Sequence, residues 1–61
     1  MQKLRKCLVV DDANVVRKVA RVLFEDMKFE VAEAESGKDA LEICKAEMPS
    51  LIVLDRHMPG M

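Results

Sequence analysis

Three aspartates follow two apolar runs of the sequence, and they are the residues best suited to chemistry. Asp11 and Asp12 come directly after the apolar run 7–10, and Asp55 comes directly after the apolar run 51–54. Like charges in one site raise one another's pKa values, so three gathered carboxylates need a cation or protons between them. Mg²⁺ fits such a group because it prefers oxygen ligands and often takes only one or two carboxylates. The aspartates therefore predict a magnesium site, provided that both runs end at the same place.

The two apolar runs are interpreted as parallel strands of one sheet. Four-residue apolar runs without polar alternation are typical of strands covered on both faces, and such strands are usually parallel and joined by helices. Parallel neighbours end at the same edge of the sheet, and open α/β sheets bind their ligands at this carboxyl edge. We therefore expect Asp11, Asp12 and Asp55 to converge there.

The sequence predicts an α/β fold with the element order β-α-β-α-β. Strands are expected over residues 6–10, 30–34 and 51–54, and polar residues interrupt the second strand, as is usual at a sheet edge. Right-handed crossovers of the flavodoxin type then give the strand order 2-1-3. The third strand forms the other edge, yet no charge, proline or bulge protects it. We expect it to pair with its copy in a homodimer that completes the sheet.

Two helices are expected between the strands. Asn14 is predicted to cap the first helix, whose apolar residues recur at helical spacing until about Met27. Ser36 and Asp39 resemble a capping box that begins the second helix, and Pro49 ends it. The buried side of the second helix is assigned to Ala40, Leu41, Ile43 and Cys44. The solvated face of the first helix is assigned to Arg17, Lys18 and Arg21, with a role near the acidic cluster or a partner as the alternative.

Composition argues against several classes of protein. With 61 residues the chain forms at most one small domain, and its 51% hydrophobic content exceeds what three strands and two helices can easily hide. A net charge of −1 provides no basic stripe for nucleic acid. The sequence contains no 18-residue apolar stretch and no signal-peptide core, so no membrane segment is expected. Cys7 and Cys44 lack metal-ligand spacing and are expected to be reduced, which favours a cytoplasmic protein.

Three segments together resemble the first half of a response-regulator receiver domain. They are residues 9–12 before the first helix, residues 36–41 at the start of the second helix, and residues 54–61 after the third strand. The resemblance covers essentially the whole chain. It implies that residues 1–61 are the amino-terminal half of one flavodoxin-like receiver domain, and that the parent protein acts in two-component phosphorelay signalling.

The resemblance also implies a role for each site residue. Asp55 would be the phosphoacceptor that takes a phosphoryl group from a partner histidine kinase. Mg²⁺ would be held by Asp12 directly, by Asp11 largely through water, by Asp55 and by the backbone carbonyl of His57. Attack of a carboxylate on phosphorus forms an acyl phosphate, and the metal offsets the repulsion between the two anions.

The family uses two further residues that lie outside this sequence. A Ser or Thr ends the fourth strand and a Lys ends the fifth strand, where both engage the phosphoryl oxygens. Residues 1–61 supply neither, so no catalytic residue beyond Asp55 is predicted. We expect these 61 residues to bind Mg²⁺ weakly, not to be an enzyme, and not to work as a phosphorylation switch by themselves.

Other interpretations remain open. Asp11 and Asp12 are also common turn and helix-start residues. Asp55 fits an ordinary loop carboxylate, and His57 fits a solvated loop histidine better than a metal ligand through its ring. A second functional class is a structural or assembly fragment without signalling activity. A third is a magnesium-dependent phosphotransferase of the haloacid dehalogenase type, which is disfavoured because its nucleophile belongs to an Asp-x-Asp pair after the first strand.

Overall fold

A computed structural model describes residues 5–54 of the chain and confirms the predicted order of elements. The elements are β1 (Arg5–Val10), α1 (Asn14–Asp26), β2 (Phe29–Ala34), α2 (Gly37–Ala46) and β3 (Leu51–Leu54). No helix within these described residues is long and apolar enough to cross a membrane.

The sheet has the predicted order, with β1 between β2 and β3. All three strands are parallel, and Val10 at the end of β1 pairs with Ala34 on one side and with Leu54 on the other. The three strands therefore end together at one edge of the sheet, and the described loops after β1 and β2 leave from this edge.

The core lies on both faces of β1, because alternate residues of a strand point to opposite faces. On the α2 side, Leu8 and Val10 form a cluster with residues of β2 and α2. On the α1 side, Cys7 and Val9 pack with Val31, and Ala20, Phe24, Phe29 and Val53 lie against them. Burial on both faces explains why the run 7–10 is apolar throughout. Cys7 and Cys44 are both free thiols, and burial raises the pKa of Cys7.

The start of α1 differs from the prediction that Asn14 caps it. Ala13 occupies the cap position in an extended conformation, and Asn14 is the first helical residue. The carboxylate Oδ1 of Asp11 instead accepts a hydrogen bond from the Ala13 N–H at 2.8 Å. An aspartate that binds the backbone two residues later closes its own turn. The helix itself begins without a side-chain cap, because Ala13 has no side-chain acceptor.

The second helix begins as predicted, but fewer of its apolar residues are buried than expected. The Ser36 hydroxyl accepts from the Asp39 N–H at 3.2 Å, and α2 ends at Ala46, three residues before Pro49. The assignment of Leu41 to the buried side is wrong, because its side chain is 64% exposed. Leu41 instead lines an open apolar groove of about 520 Å³ with residues of β3.

The first helix also leaves most of its apolar residues uncovered in the described part of the chain. Its contacts with the core come from Ala20 and Phe24. The exposed apolar residues of α1 and its end are Val15, Val16, Val19, Val22, Leu23 and Met27. Lys28 then takes a positive φ of 71°, which ends the helical path and turns the chain into β2.

Candidate functional site

The segment 11–13, here called the acidic loop, joins β1 to α1 at the carboxyl edge of the sheet. Asp11 is only 8% exposed, and its N–H donates to the Ala34 carbonyl of β2 at 3.1 Å. Its carboxylate is fixed by the bond from the Ala13 N–H, which engages one of its two oxygens. Asp12 is exposed. The loop thus presents one anchored carboxylate and one carboxylate open to water.

The other predicted site residues, Asp55 and His57, lie outside the described residues. Asp55 follows Leu54 in the sequence, and Leu54 is the β3 partner of Val10. Within residues 5–54, no group of three or more His, Cys, Asp or Glu side chains is close enough to hold a metal ion. The described part of the site therefore consists of Asp11 and Asp12.

Arg17 connects the acidic loop to the rest of the fold, which agrees with the alternative that the basic residues of the first helix act near the acidic cluster. Its Nη1 donates to the backbone carbonyl of Asp11 at 2.7 Å, and its Nη2 donates to Oδ1 of Asn14 at 2.8 Å. Its Nε donates to Oε1 of Glu33 in β2 at 3.2 Å. One guanidinium thus bridges the loop, the start of α1 and the edge strand.

Glu33 is the common partner of the three basic residues of α1, here called the basic cluster. Lys18 and Arg21 approach Oε2 at 2.9 and 2.7 Å, and Arg17 approaches Oε1. The hydrogen bonds from Lys18, then Arg21 and Arg17, lower the pKa of Glu33 from its usual 4.5 to about 2. The same carboxylate and that of Glu25 raise the pKa of Arg21.

The interpretation of these residues as a solvated helix face is therefore wrong for Arg17 and holds for Lys18. The side chains of Arg17 and Glu33 are each only 12% exposed, whereas Lys18 and Arg21 are more open. A signal was present in the sequence, because residues 17, 18 and 21 share one side of a helix and β2 carries a lone polar residue between Ala32 and Ala34. The sequence did not reveal that this side faces β2.

Comparison with known proteins agrees with this geometry. The family described as the response regulator receiver domain matches residues 7–61. The positive transcription regulator of virulence factors BvgA of Bordetella pertussis is 44% identical over 55 residues, which cover 88% of this chain and 26% of that protein. The transcriptional regulator ycf27 of Porphyridium aerugineum is 41% identical over 59 residues, with coverages of 97% and 24%.

An enzyme is also similar to this chain. The protein-glutamate methylesterase/protein-glutamine glutaminase 2 of Paramagnetospirillum magneticum is 40% identical over 63 residues, which cover 100% of this chain and 18% of that protein. The chain thus spans about a quarter or less of the length of these relatives. No solved structure gives a significant match. Since the family match covers nearly the whole sequence, the chain belongs to the family of response regulator receiver domains.

Proposed function

We propose that this chain is the amino-terminal half of a receiver domain in which Asp55 accepts a phosphoryl group from a histidine kinase. Receiver domains of two-component systems are phosphorylated by such kinases and generally bind Mg²⁺ at the phosphorylation site. The strand register supports the proposal, because Val10 and Leu54 are paired and each is followed directly by an aspartate. Neighbouring strands lie about 4.8 Å apart, so Asp11 and Asp55 follow adjacent positions at one edge. The receiver is therefore favoured over the haloacid dehalogenase interpretation.

The donor chemistry of the acidic loop fits Mg²⁺. Asp12 is exposed and can bind a cation that keeps several of its waters, whereas Asp11 is buried and anchored by Ala13. This difference supports direct binding by Asp12 and water-mediated binding by Asp11. We assign Asp55 and the backbone carbonyl of His57 as the other protein ligands. When bound, the ion would offset the repulsion between the Asp55 carboxylate and the phosphoryl oxygens.

Mn²⁺ titration followed by NMR tests the metal site. Paramagnetic broadening should centre on the acidic loop, and Asp12→Asn or Asp55→Asn should weaken the binding. Asp26→Asn is the matched control, because Asp26 is an exposed carboxylate at the far end of α1. Broadening that spreads over the surface and ignores the substitutions at residues 12 and 55 would contradict the site.

We further propose that the 61 residues alone are not a working switch. The Ser or Thr and the Lys that hold phosphoryl oxygens in the family are not among them, and losing one oriented donor typically costs about 10²–10³ in rate. Treatment with acetyl phosphate should therefore leave little or no stable adduct in an intact-mass measurement. A single-phosphoryl mass shift that Asp55→Asn abolishes would refute this proposal. A longer polypeptide with the fourth and fifth strands would supply the missing groups.

A second proposal is that the chain assembles as a homodimer through β3. In the described residues β3 pairs only with β1, and Leu51, Ile52 and Leu54 are 37%, 42% and 53% exposed. Two copies related by a two-fold axis can pair their β3 strands antiparallel, which gives the order 2-1-3-3′-1′-2′ and covers both open edges. This arrangement favours the structural-fragment interpretation for the chain by itself.

We also propose that the protein resides in the cytoplasm and is not itself an enzyme. The thiols of Cys7 and Cys44 are free, as is usual in a reducing compartment. The proposed chemistry needs the chain only as an acceptor of the phosphoryl group. If the mass and the fold of the chain are the same with and without reductant, the result agrees with this location. An intermolecular disulfide that is required for folding would contradict it.

A further inference from the structure

We propose that Arg17 is a positioning residue that holds the acidic loop in the shape required for metal binding. The inference rests on the proposed magnesium site but concerns a residue that never touches the ion. Arg17 is the only one of the three basic-cluster residues that contacts this loop among the described residues. The backbone carbonyl of Asp11 is its nearest partner, at 2.7 Å from Nη1.

The three contacts of Arg17 use the shape of the guanidinium. The guanidinium donates to Asp11 at the start of the acidic loop, to Asn14 at the start of α1, and to Glu33 in β2. Asp11 and Asn14 lie on either side of residues 12–13, so holding both of them fixes the path of the chain between them. A lysine ammonium cannot reproduce this pattern, because it is a point charge without a planar array of donors.

Glu33 determines the direction in which the Arg17 side chain points. The two side chains are each only 12% exposed, and β2 is held to β1 by the sheet register. The guanidinium therefore lies against a rigid acceptor on one side and the loop on the other. Lys18 and Arg21 share the Glu33 carboxylate without reaching the loop.

The direction of the change in metal affinity distinguishes a positioning role of Arg17 from a purely electrostatic effect. Arg17 is a cation close to a proposed cation site, so removing its charge alone should strengthen Mg²⁺ binding. If its main role is to hold the loop, removing it should weaken binding instead. Loss of a residue that orients metal ligands typically reduces metal affinity by about 10–100-fold.

The experiment compares three variants of the 61-residue chain with the wild type. Arg17→Met keeps an apolar stem but loses all three contacts, and Arg17→Lys keeps the charge without the fork. Arg21→Met is the matched control, because Arg21 binds Glu33 and carries the same charge but does not touch the loop. Mn²⁺ affinity is measured together with hydrogen exchange of the Ala13 amide, which bonds to the Asp11 carboxylate.

We expect Arg17→Met to bind Mn²⁺ about tenfold more weakly and to exchange the Ala13 amide faster. Arg17→Lys should restore only part of each property, and Arg21→Met should leave both close to the wild type. Equal or tighter binding by Arg17→Met, or unchanged Ala13 exchange, would overturn the inference. If the wild type showed no binding sensitive to Asp12→Asn, the metal site itself would be refuted. If the wild type binds Mn²⁺ and Arg17→Met binds it equally well, only the role of Arg17 is refuted.

Discussion

Glu33 links the edge strand β2 to α1, and removing its charge should destabilise the fold. Its carboxylate receives hydrogen bonds from Arg17, Lys18 and Arg21. Glu33→Gln keeps the size of the side chain and one acceptor oxygen but loses the charge that all three cations share. We expect the free energy of unfolding to fall by about 1–2 kcal/mol.

The magnitude follows from the pKa of Glu33 and from the exposure of its partners. A decrease from 4.5 to about 2 corresponds at most to about 3 kcal/mol of stabilisation. This limit must be discounted, because Lys18 and Arg21 are 58% and 41% exposed and exposed pairs contribute only about 0.2–1 kcal/mol each. The Arg17 bond is better shielded, with 12% exposure on both sides. The expected loss of about 1–2 kcal/mol is therefore set below this limit.

The dependence on pH provides the sharper assay. Because the folded pKa lies below the unfolded value, the stabilisation is present above about pH 4.5 and is lost as the pH falls toward 2. Urea denaturation of wild type and Glu33→Gln should therefore differ at pH 7 and converge only at about pH 2 and below. The chain concentration must be equal in all samples, since any dimer contributes to the measured stability.

Glu35→Gln provides the matched control, because Glu35 is an exposed carboxylate just beyond the same strand. This change should alter stability by less than about 0.5 kcal/mol at any pH, as is usual for exposed sites. If Glu33→Gln changed the stability at pH 7 as little as Glu35→Gln, the ion pairs between Glu33 and the basic cluster would contribute no net stability. A large loss that stayed constant from pH 7 to pH 2 would also refute the argument, since it could not come from the charge.

Two more predictions test the assembly and the start of α2. Leu51→Lys should convert a dimer to a monomer in light scattering at micromolar concentration. Val22→Lys, at a more exposed apolar residue of α1, should not, since it lies outside β3. A wild type that is monomeric and unfolds cooperatively would refute pairing through β3. Ser36→Ala should lower the free energy of unfolding by about 1 kcal/mol, because it removes the acceptor of the Asp39 N–H. Ser50→Ala should be nearly neutral, since the hydrogen bond of Ser50 to Lys6 uses only the backbone, and equal losses from both serine variants would argue against the cap.

The sequence predicted those features that depend on short-range patterns. The run 7–10 is apolar because β1 is covered on both faces, and a central strand of this kind fixes the order of its neighbours. Ser36 and Asp39 were sufficient to identify the start of α2, since the capping bond spans only three residues. The position of Asp11 and Asp12 at the carboxyl edge of the sheet followed from parallel pairing. The expected convergence of Asp55 with them concerns a residue outside the described range and stays a prediction.

The features that the sequence did not predict depend on how distant elements face one another. Leu41 looked buried because helical periodicity does not say which apolar residues meet the sheet, and in the fold only Ala40 is fully buried there. Asn14 looked like a cap because its type suits the role, but it is already the first helical residue and its Oδ1 accepts from Arg17 Nη2 instead. The basic cluster looked solvated because its partner, Glu33, lies on another element, 12–16 residues away.

The two halves of the proposed site differ in how the fold supports them. Asp11 and Asp12 follow a strand that is paired on both sides, and the Asp11 backbone bonds to Ala34 and to Arg17. Asp55 follows β3, which pairs with one strand within the described residues. Val53 is the one residue of β3 that packs against a buried core cluster there. The acidic loop therefore owes its shape to β1, β2 and α1, all of which this chain contains. Asp55, the proposed phosphoacceptor, follows a strand whose outer edge has no partner within the described residues. For this reason metal binding by the acidic loop should outlast phosphorylation as the receiver fold is shortened.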